Sequence, residues 1–127
     1  MHGKHKFFLC KHCGNLIGMV EDHHVPVVCC GENMAELIPN TVEASVEKHL
    51  PAVTIEGDRM TVQVGSVPHP MEAGHHITFV YVETANGGQR KCLQIGGAPT
   101  AAFCFTEDKP VAVYAYCNLH GLWKTEI

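Results

Sequence analysis

The chain has 127 residues, of which 46% are hydrophobic and 17% charged, with a formal net charge of −4. That is enough apolar material for a core and length for one domain, or a small one beside a medium one, and it excludes a disordered polypeptide. The absence of a basic block argues against nucleic acid as a bulk electrostatic partner, and no apolar run approaches the roughly 18 to 20 residues that span a bilayer. The basic start, Met1 to Lys6, has no apolar stretch behind it and does not read as a secretory signal. A soluble cytoplasmic protein is the expectation. Seven cysteines and ten histidines are the informative excess. An odd cysteine count cannot complete a disulfide framework within one chain, and in a reducing compartment such density favours metal ligation. Cys92 and Cys104 are set aside as small buried hydrophobes.

Residues 1–38 form a candidate small domain. Cys10-Lys11-His12-Cys13-Gly14 is a CxxC turn, and Cys29-Cys30-Gly31 closes the segment. Residues 15–20 and 25–28 read as two short strands joined by polar Glu21-Asp22-His23-His24. So small a unit cannot bury enough surface to hold itself together. Four thiolates converging on Zn²⁺ or Fe would supply the cross-link, and the glycines after Cys13 and Cys30 suit turns that need φ > 0. Spacing does not separate zinc from iron. A vicinal disulfide, or two unligated thiols at Cys29-Cys30, is the competing reading.

Pro39-Asn40-Thr41 marks the boundary of a second domain, 39–127. Residues 41–48 are polar and acidic and lead into His49-Leu50-Pro51. Strands are expected near 52–55, 60–64, 76–82, 90–95, 101–105, 111–116 and 122–126. They are divided by Glu56-Gly57-Asp58, Pro68-His69-Pro70, Asn86-Gly87-Gly88, Gly96-Gly97-Ala98-Pro99 and Asp108-Lys109-Pro110. Strands so short and regularly spaced, with no convincing helix, predict an all-β protein. The predicted architecture is an immunoglobulin-like Greek-key sandwich preceded by a small metal-binding β domain.

A second constellation ends the chain. Cys117-Asn118-Leu119-His120 puts a thiolate and an imidazole into one loop at a strand end, a metal-ligand spacing. Upstream, His49 precedes Leu50-Pro51, His69 sits between two prolines that stiffen its backbone, and His75 follows Gly74. Any one histidine is more often a core or surface residue than a ligand. The case rests on all of them falling at strand ends or rigid turns, where site residues are usually placed. Spacing does not decide between His75 and His76. His2, His5, His12, His23 and His24 lack a rigid setting and are expected to face solvent, and Glu47-Lys48 by itself reads as a solvated charged pair.

Taken in order, these motifs become recognisable. Cys10-Lys11-His12-Cys13-Gly14-Asn15 with Cys29-Cys30-Gly31, Glu47-Lys48-His49-Leu50-Pro51, the run from Gly65 to His75, and Cys117-Asn118-Leu119-His120-Gly121-Leu122-Trp123-Lys124 resemble the desulfoferrodoxins, the two-iron superoxide reductases. The resemblance covers essentially the whole chain. It implies a catalytic iron held by His49, His69, His75, His120 and Cys117, with one position open. There superoxide would take one electron and two protons and leave as hydrogen peroxide, without dioxygen. It implies a second iron, in a rubredoxin-like centre on Cys10, Cys13, Cys29 and Cys30 of a desulforedoxin-like domain. Glu47 is then the group that swings onto the open position in the oxidised resting state, and Lys48 the cation that attracts the anion and orders water for proton delivery. A rubredoxin-like electron donor and a homodimer are the implied partners. His76 departs from the family pattern, which has an aromatic residue there. Two rivals compete: a cupredoxin-like electron carrier, whose copper takes two histidines, one cysteine and a weak axial ligand, and a module with two structural zinc sites, which would be closed and four-coordinate.

Overall fold

A computed structural model of the protein describes residues 5–127; His2 lies outside the described residues. The chain divides into two compact units, one ending at Ile38 and the other beginning at Pro39. No helix among the described residues is long and apolar enough to cross a membrane.

The first unit contains β1 (Lys6–Leu9), β2 (Leu16–Met19), β3 (Val28–Cys29), β4 (Glu32–Asn33) and β5 (Ala35–Glu36). They form an antiparallel sheet of order β2-β1-β5 and a two-stranded ribbon β3-β4. The central strand, β1, was not expected: Phe7-Phe8-Leu9 is a continuous apolar run with no period of two to mark it. The strand expected at 25–28 shrinks to its last residue plus Cys29, because Pro26 has no N–H to give a ladder. Buried apolar side chains here are few, Phe7, Cys10 and Met34. His5 does not face solvent as expected. Its ring meets Phe7 edge-on at 4.4 Å and covers Gly18, where a Cβ would come within 2.9 Å of His5 Nε2. His12, His23 and His24 are exposed, each beside a carboxylate, of Glu32, Glu21 and Asp22 respectively.

The second unit begins with one helical turn, α1 (Val46–His49), and continues through β6 (Pro51–Glu56), β7 (Arg59–Val64), β8 (Ile77–Thr84), β9 (Gly87–Cys92), β10 (Thr100–Cys104), β11 (Pro110–Cys117) and β12 (Gly121–Glu126). Two antiparallel sheets of order β10-β7-β6 and β12-β11-β8-β9 face each other. The chain changes sheet after β7, β9 and β10, which is the Greek-key sandwich the sequence pattern predicts. Inward positions alternate along the strands: Met60, Val62 and Val64 on β7, Phe103 on β10, Val80 and Val82 on β8, and Val113, Ala115 and Cys117 on β11. The metal-binding cysteine candidate is thus the last member of a core row.

Several details differ from the sequence reading. Residues 46–49 form a helical turn within a stretch read as irregular, closed by Leu50 N–H to Val46 O at 2.9 Å and stopped by Pro51, which has no N–H to continue it. β9 starts at Gly87, not at Arg90. Thr84 pairs with Gly87, so the hairpin turn is only Ala85-Asn86. Gly88 belongs to the strand because a Cβ there would overlap the Tyr81 hydroxyl. Cys92 and Cys104, expected to be buried, are exposed. Cys104 follows the inward Phe103 and must point outward by the period of two. Cys92 pairs with Phe79, whose neighbour Val80 is the inward one. Both lie on edge strands, where Gln89 Nε2 donates to Cys104 O at 2.9 Å and Lys91 Nζ donates to Ala102 O. Those side chains occupy carbonyls that an open edge would offer to another chain.

α1 lies flat on the turn after β7. Glu47 O accepts from Val67 N–H at 2.9 Å and from Ser66 Oγ at 3.2 Å. A Cβ at Gly65 would stand 2.6 Å from Glu47 O and 2.8 Å from Leu50 O, both main-chain atoms that cannot swing aside. Gly65→Ala is therefore expected to lower unfolding free energy by about 1–3 kcal/mol through overpacking. Gly74→Ala, with nothing within 4 Å of the new methyl, should change it by less than about 0.5 kcal/mol. Denaturant titrations of the two variants check this contrast.

Candidate metal centres

The first site is a group of four sulfurs. The side chains of Cys10, Cys13, Cys29 and Cys30 place their Sγ atoms within 4.8 Å of one another. Cys13 and Cys29 sulfurs are 3.6 Å apart and those of Cys29 and Cys30 4.0 Å, far beyond the roughly 2.05 Å of a bond, so the vicinal disulfide is absent. Adjacent cysteines normally diverge; here Cys30 (φ 53°) and Gly31 (φ 76°) take the left-handed backbone that curls the chain around the site. Main-chain N–H groups point at the sulfurs, from Cys13 to Cys10 at 3.5 Å and from Asn15 to Cys13 at 3.4 Å. The Cys13 N–H foremost, with the His12 N–H, lowers the Cys10 pKa to about 6. Its thiol neighbours Cys13 and Cys10 push Cys30 up to about 12, and Cys13 likewise raises Cys29. One thiolate is easily formed and the next are resisted, which is the charge problem a cation in the middle removes. A set of four sulfurs this close fits iron or zinc.

The second site is built at one end of the sandwich. His49 ends α1, His69 follows β7, His75 precedes β8, and Cys117 and His120 lie at the end of β11 and in the turn to β12. Ligand atoms of His49, His69, His75 and Cys117 fall within 4.8 Å of one another. His120 joins them through Nδ1, 3.1 Å from His49 Nε2 and 3.8 Å from Cys117 Sγ. The four rings form a closed circuit. Neighbouring centroids are 4.6 Å (His49–His69), 4.6 Å (His69–His75), 5.2 Å (His75–His120) and 4.9 Å (His120–His49) apart, and planes are inclined by 75° to 85°. His49 and His75 stand across it at 6.4 Å. Cys117, fully buried, approaches from the core.

Hydrogen bonds fix the tautomers. His49 Nδ1 lies 2.7 Å from Ser45 O and His69 Nδ1 2.7 Å from Pro70 O. A carbonyl only accepts, so each Nδ1 carries the proton and each Nε2 presents a lone pair. Those two Nε2 atoms are 3.2 Å apart. Protonation does not relieve the conflict easily: burial, followed by the charge of neighbouring imidazoles, lowers His69 to about 4, and burial also lowers His49. His75 Nε2 is buried without any hydrogen-bond partner. Lone pairs facing one point and an orphaned buried nitrogen are what a cation would satisfy. Four nitrogens and a thiolate fit iron, and exceed both the two histidines of a blue-copper site and the four-ligand shell of structural zinc.

His75, not His76, supplies the fourth ring. His76 donates its Nδ1–H to Glu72 O at 2.9 Å and its main-chain N–H to Asn118 Oδ1 at 2.8 Å. Glu47 and Lys48 are exposed, and the Glu47 side chain lines a groove with Val46, Leu50 and Pro51. Trp123, named in the sequence only as part of the terminal motif, has a role at the site. Its ring stacks on His49 at 5.0 Å and 29°, and its Nε1–H donates to His120 O at 3.1 Å. Its being the only tryptophan, three residues beyond a ligand, was the available signal.

Comparison with known proteins agrees with this geometry. A family model described as desulfoferrodoxin matches residues 41–126. A desulfoferrodoxin of Nitratidesulfovibrio vulgaris is 39% identical over 126 residues, 99% of each chain. The crystal structure of the superoxide reductase from Treponema pallidum superimposes with a TM-score of 0.83 at 38% identity, covering 98% of this chain and 100% of that one. The one-iron superoxide reductase from Giardia intestinalis aligns with 64% of this chain and 97% of its own, at a TM-score of 0.54 and 29% identity. With two metal-ligand groups of the expected composition in place, and relatives matched from end to end, the chain belongs to the desulfoferrodoxin family.

Proposed function

We propose that the protein is a superoxide reductase. Superoxide takes one electron and two protons and leaves as hydrogen peroxide, with no dioxygen formed. The observation that carries this reading is the circuit of four imidazoles with a buried thiol on its core side. His49, His69, His75, His120 and Cys117 would hold an iron between them and leave it accessible to a small anion. Iron, when bound there, supplies the one-electron reductant. The chain supplies everything else. Ser45 and Pro70 carbonyls hold the His49 and His69 rings in the ligating tautomer. The Cys117 thiolate delivers negative charge from a dry side, which favours electron donation away from the core.

Lys48 and Glu47 adjoin His49 on the helical turn. Lys48 offers a local positive potential to an anionic substrate on a protein that is negative overall and orders the water that supplies protons. Glu47, on the same turn, would close the open side of the site in the resting oxidised state. Residues 1–38 act as a desulforedoxin-like domain with a rubredoxin-like iron on its four cysteines, and residues 39–127 as the immunoglobulin-like superoxide reductase domain. The four-cysteine iron serves chiefly to hold its small unit together. A rubredoxin-like protein delivers the electron, the chain works as a homodimer, and the compartment is the cytoplasm.

Rapid mixing of the reduced, iron-loaded protein with superoxide, with both products counted, tests the reaction. One peroxide per superoxide and no dioxygen is the expected yield. Release of dioxygen in proportion to peroxide would make it a dismutase and end the proposal. In the same experiment Lys48→Ala should slow the second-order step roughly tenfold at low ionic strength and flatten its salt dependence; wild-type kinetics in that variant would remove the role given to Lys48. For the four-cysteine centre, Cys13→Ser should cost one iron per chain and leave residues up to Ile38 open to proteolysis, while superoxide reduction persists. A protease-resistant first unit without its iron would contradict the structural role.

A further inference from the structure

Between two proposed ligands, Cys117 and His120, stands Asn118, a side chain that ligates nothing yet grips the segment carrying a third. Its Oδ1 accepts the His76 N–H at 2.8 Å and its Nδ2 donates to Gly74 O at 3.0 Å. Its own main-chain N–H donates to His76 O at 3.2 Å. The amide has only one orientation that satisfies both side-chain bonds, because a main-chain N–H gives and a carbonyl takes. The residue gripped from both sides is His75.

His75 needs such a hold more than the other imidazoles do. His49 and His69 are oriented by ring N–H bonds to carbonyls, and the rings of His49 and Trp123 support each other. Among the described residues no hydrogen bond reaches the His75 ring, and its buried Nε2 has no partner. Its main chain forms a tight two-residue turn, with Glu72 N–H to His75 O at 2.9 Å and His75 N–H to Glu72 O at 3.1 Å. That turn fixes the local shape but not where the shape sits relative to Cys117. The Asn118 bonds do, since they join residues 42 and 44 positions apart.

We infer that Asn118 is a positioning residue for His75: it clamps the main chain on either side of that imidazole to the Cys117–His120 loop and so fixes the nitrogen of one ligand against the sulfur of another. The inference rests on the five-ligand reading of the site. Outer residues that orient metal ligands typically cost 10- to 100-fold in metal affinity when removed.

The test uses the full-length, iron-loaded protein and three variants, Asn118→Ala, His75→Ala and the double substitution. Ferrous iron retention at the imidazole–thiolate site is measured by chelator competition, and the oxidised centre is followed by absorption and electron paramagnetic resonance. Asn118→Ala should weaken retention by about 10- to 100-fold and move the spectrum toward that of His75→Ala. The double variant should be no worse than His75→Ala, because a residue that acts through His75 has nothing left to act on. Wild-type retention and spectrum in Asn118→Ala, or penalties that add in full in the double variant, would overturn the assignment. Should Asn118→Ala not fold, Asn118→Asp, which keeps an acceptor for the His76 N–H and loses the donor to Gly74, carries the same comparison. A wild-type protein that holds no iron on these five side chains would sink the functional proposal itself. Iron held equally by wild type and variant would sink only the role of Asn118.

Discussion

The working end of the sandwich turns on one electrostatic conflict: two imidazole lone pairs aimed at each other with no proton between them. His49 and His69 have committed their Nδ1 protons to carbonyls, and their Nε2 lone pairs face each other at 3.2 Å. His120 presents a third nitrogen at 3.1 Å and Cys117 a sulfur within 3.8 Å of that nitrogen. Burial opposes relief by protonation at His49 and His69, and a cation at the meeting point of the lone pairs would remove the conflict. Each ligand hangs from something stiff: a helical turn pinned by Ser66 and Val67, a proline-flanked turn, a two-residue hairpin, and the end of a core strand.

The two sulfur-bearing sites solve related charge problems in opposite surroundings. Around the four cysteines, Cys13 and Cys30 are exposed and main-chain N–H groups share the load, so water and the peptide dipoles both help. Cys117 has neither exposure nor many neighbours that donate. It sits fully buried in line with Val113 and Ala115, so the core packs behind the sulfur and only its front faces the imidazoles. The period of two along β11 sets this: one residue of slip would put Tyr116 inward and turn the thiol to the outer face.

What the sequence disclosed, and what it hid, divides along the range of the interaction. Turn formers and alternation are local, and they located the seven strands of the second unit and both ligand groups. Spacing left His75 and His76 open, and only the family resemblance favoured His75; the contact that turns the His76 main chain to Asn118, 42 residues away, has no local trace. Cys92 and Cys104 look apolar by type, yet each follows the inward position on an edge strand, Lys91 opposite Val80 on β9 and Phe103 on β10, and so points out. β1 was hidden because a strand between two partners needs no alternation, and α1 because a four-residue turn held by Gly65 and Ser66 leaves no periodic trace. His5 was placed in solvent for want of a neighbour, and the neighbour is Gly18 across a sheet.

Trp123 extends the same reasoning. A bundle of imidazoles on loops would be loose without something broad to lean on. An indole 3% exposed provides a flat wall for His49 and a donor for the His120 carbonyl at once. Because β11 and β12 are paired in register, Ala115 lies opposite Trp123 and Cys117 opposite Gly121. A small residue faces the large ring, and a glycine with φ 78° faces the thiol. The tryptophan can therefore lie against the histidines, while Gly121 supplies the left-handed backbone that turns the chain from β11 into β12. Its missing side chain faces Val42, at 3.4 Å from where a Cβ would stand, so the hairpin closes on the segment that leads into α1. One returning strand thus serves the site twice, by its turn and by its indole.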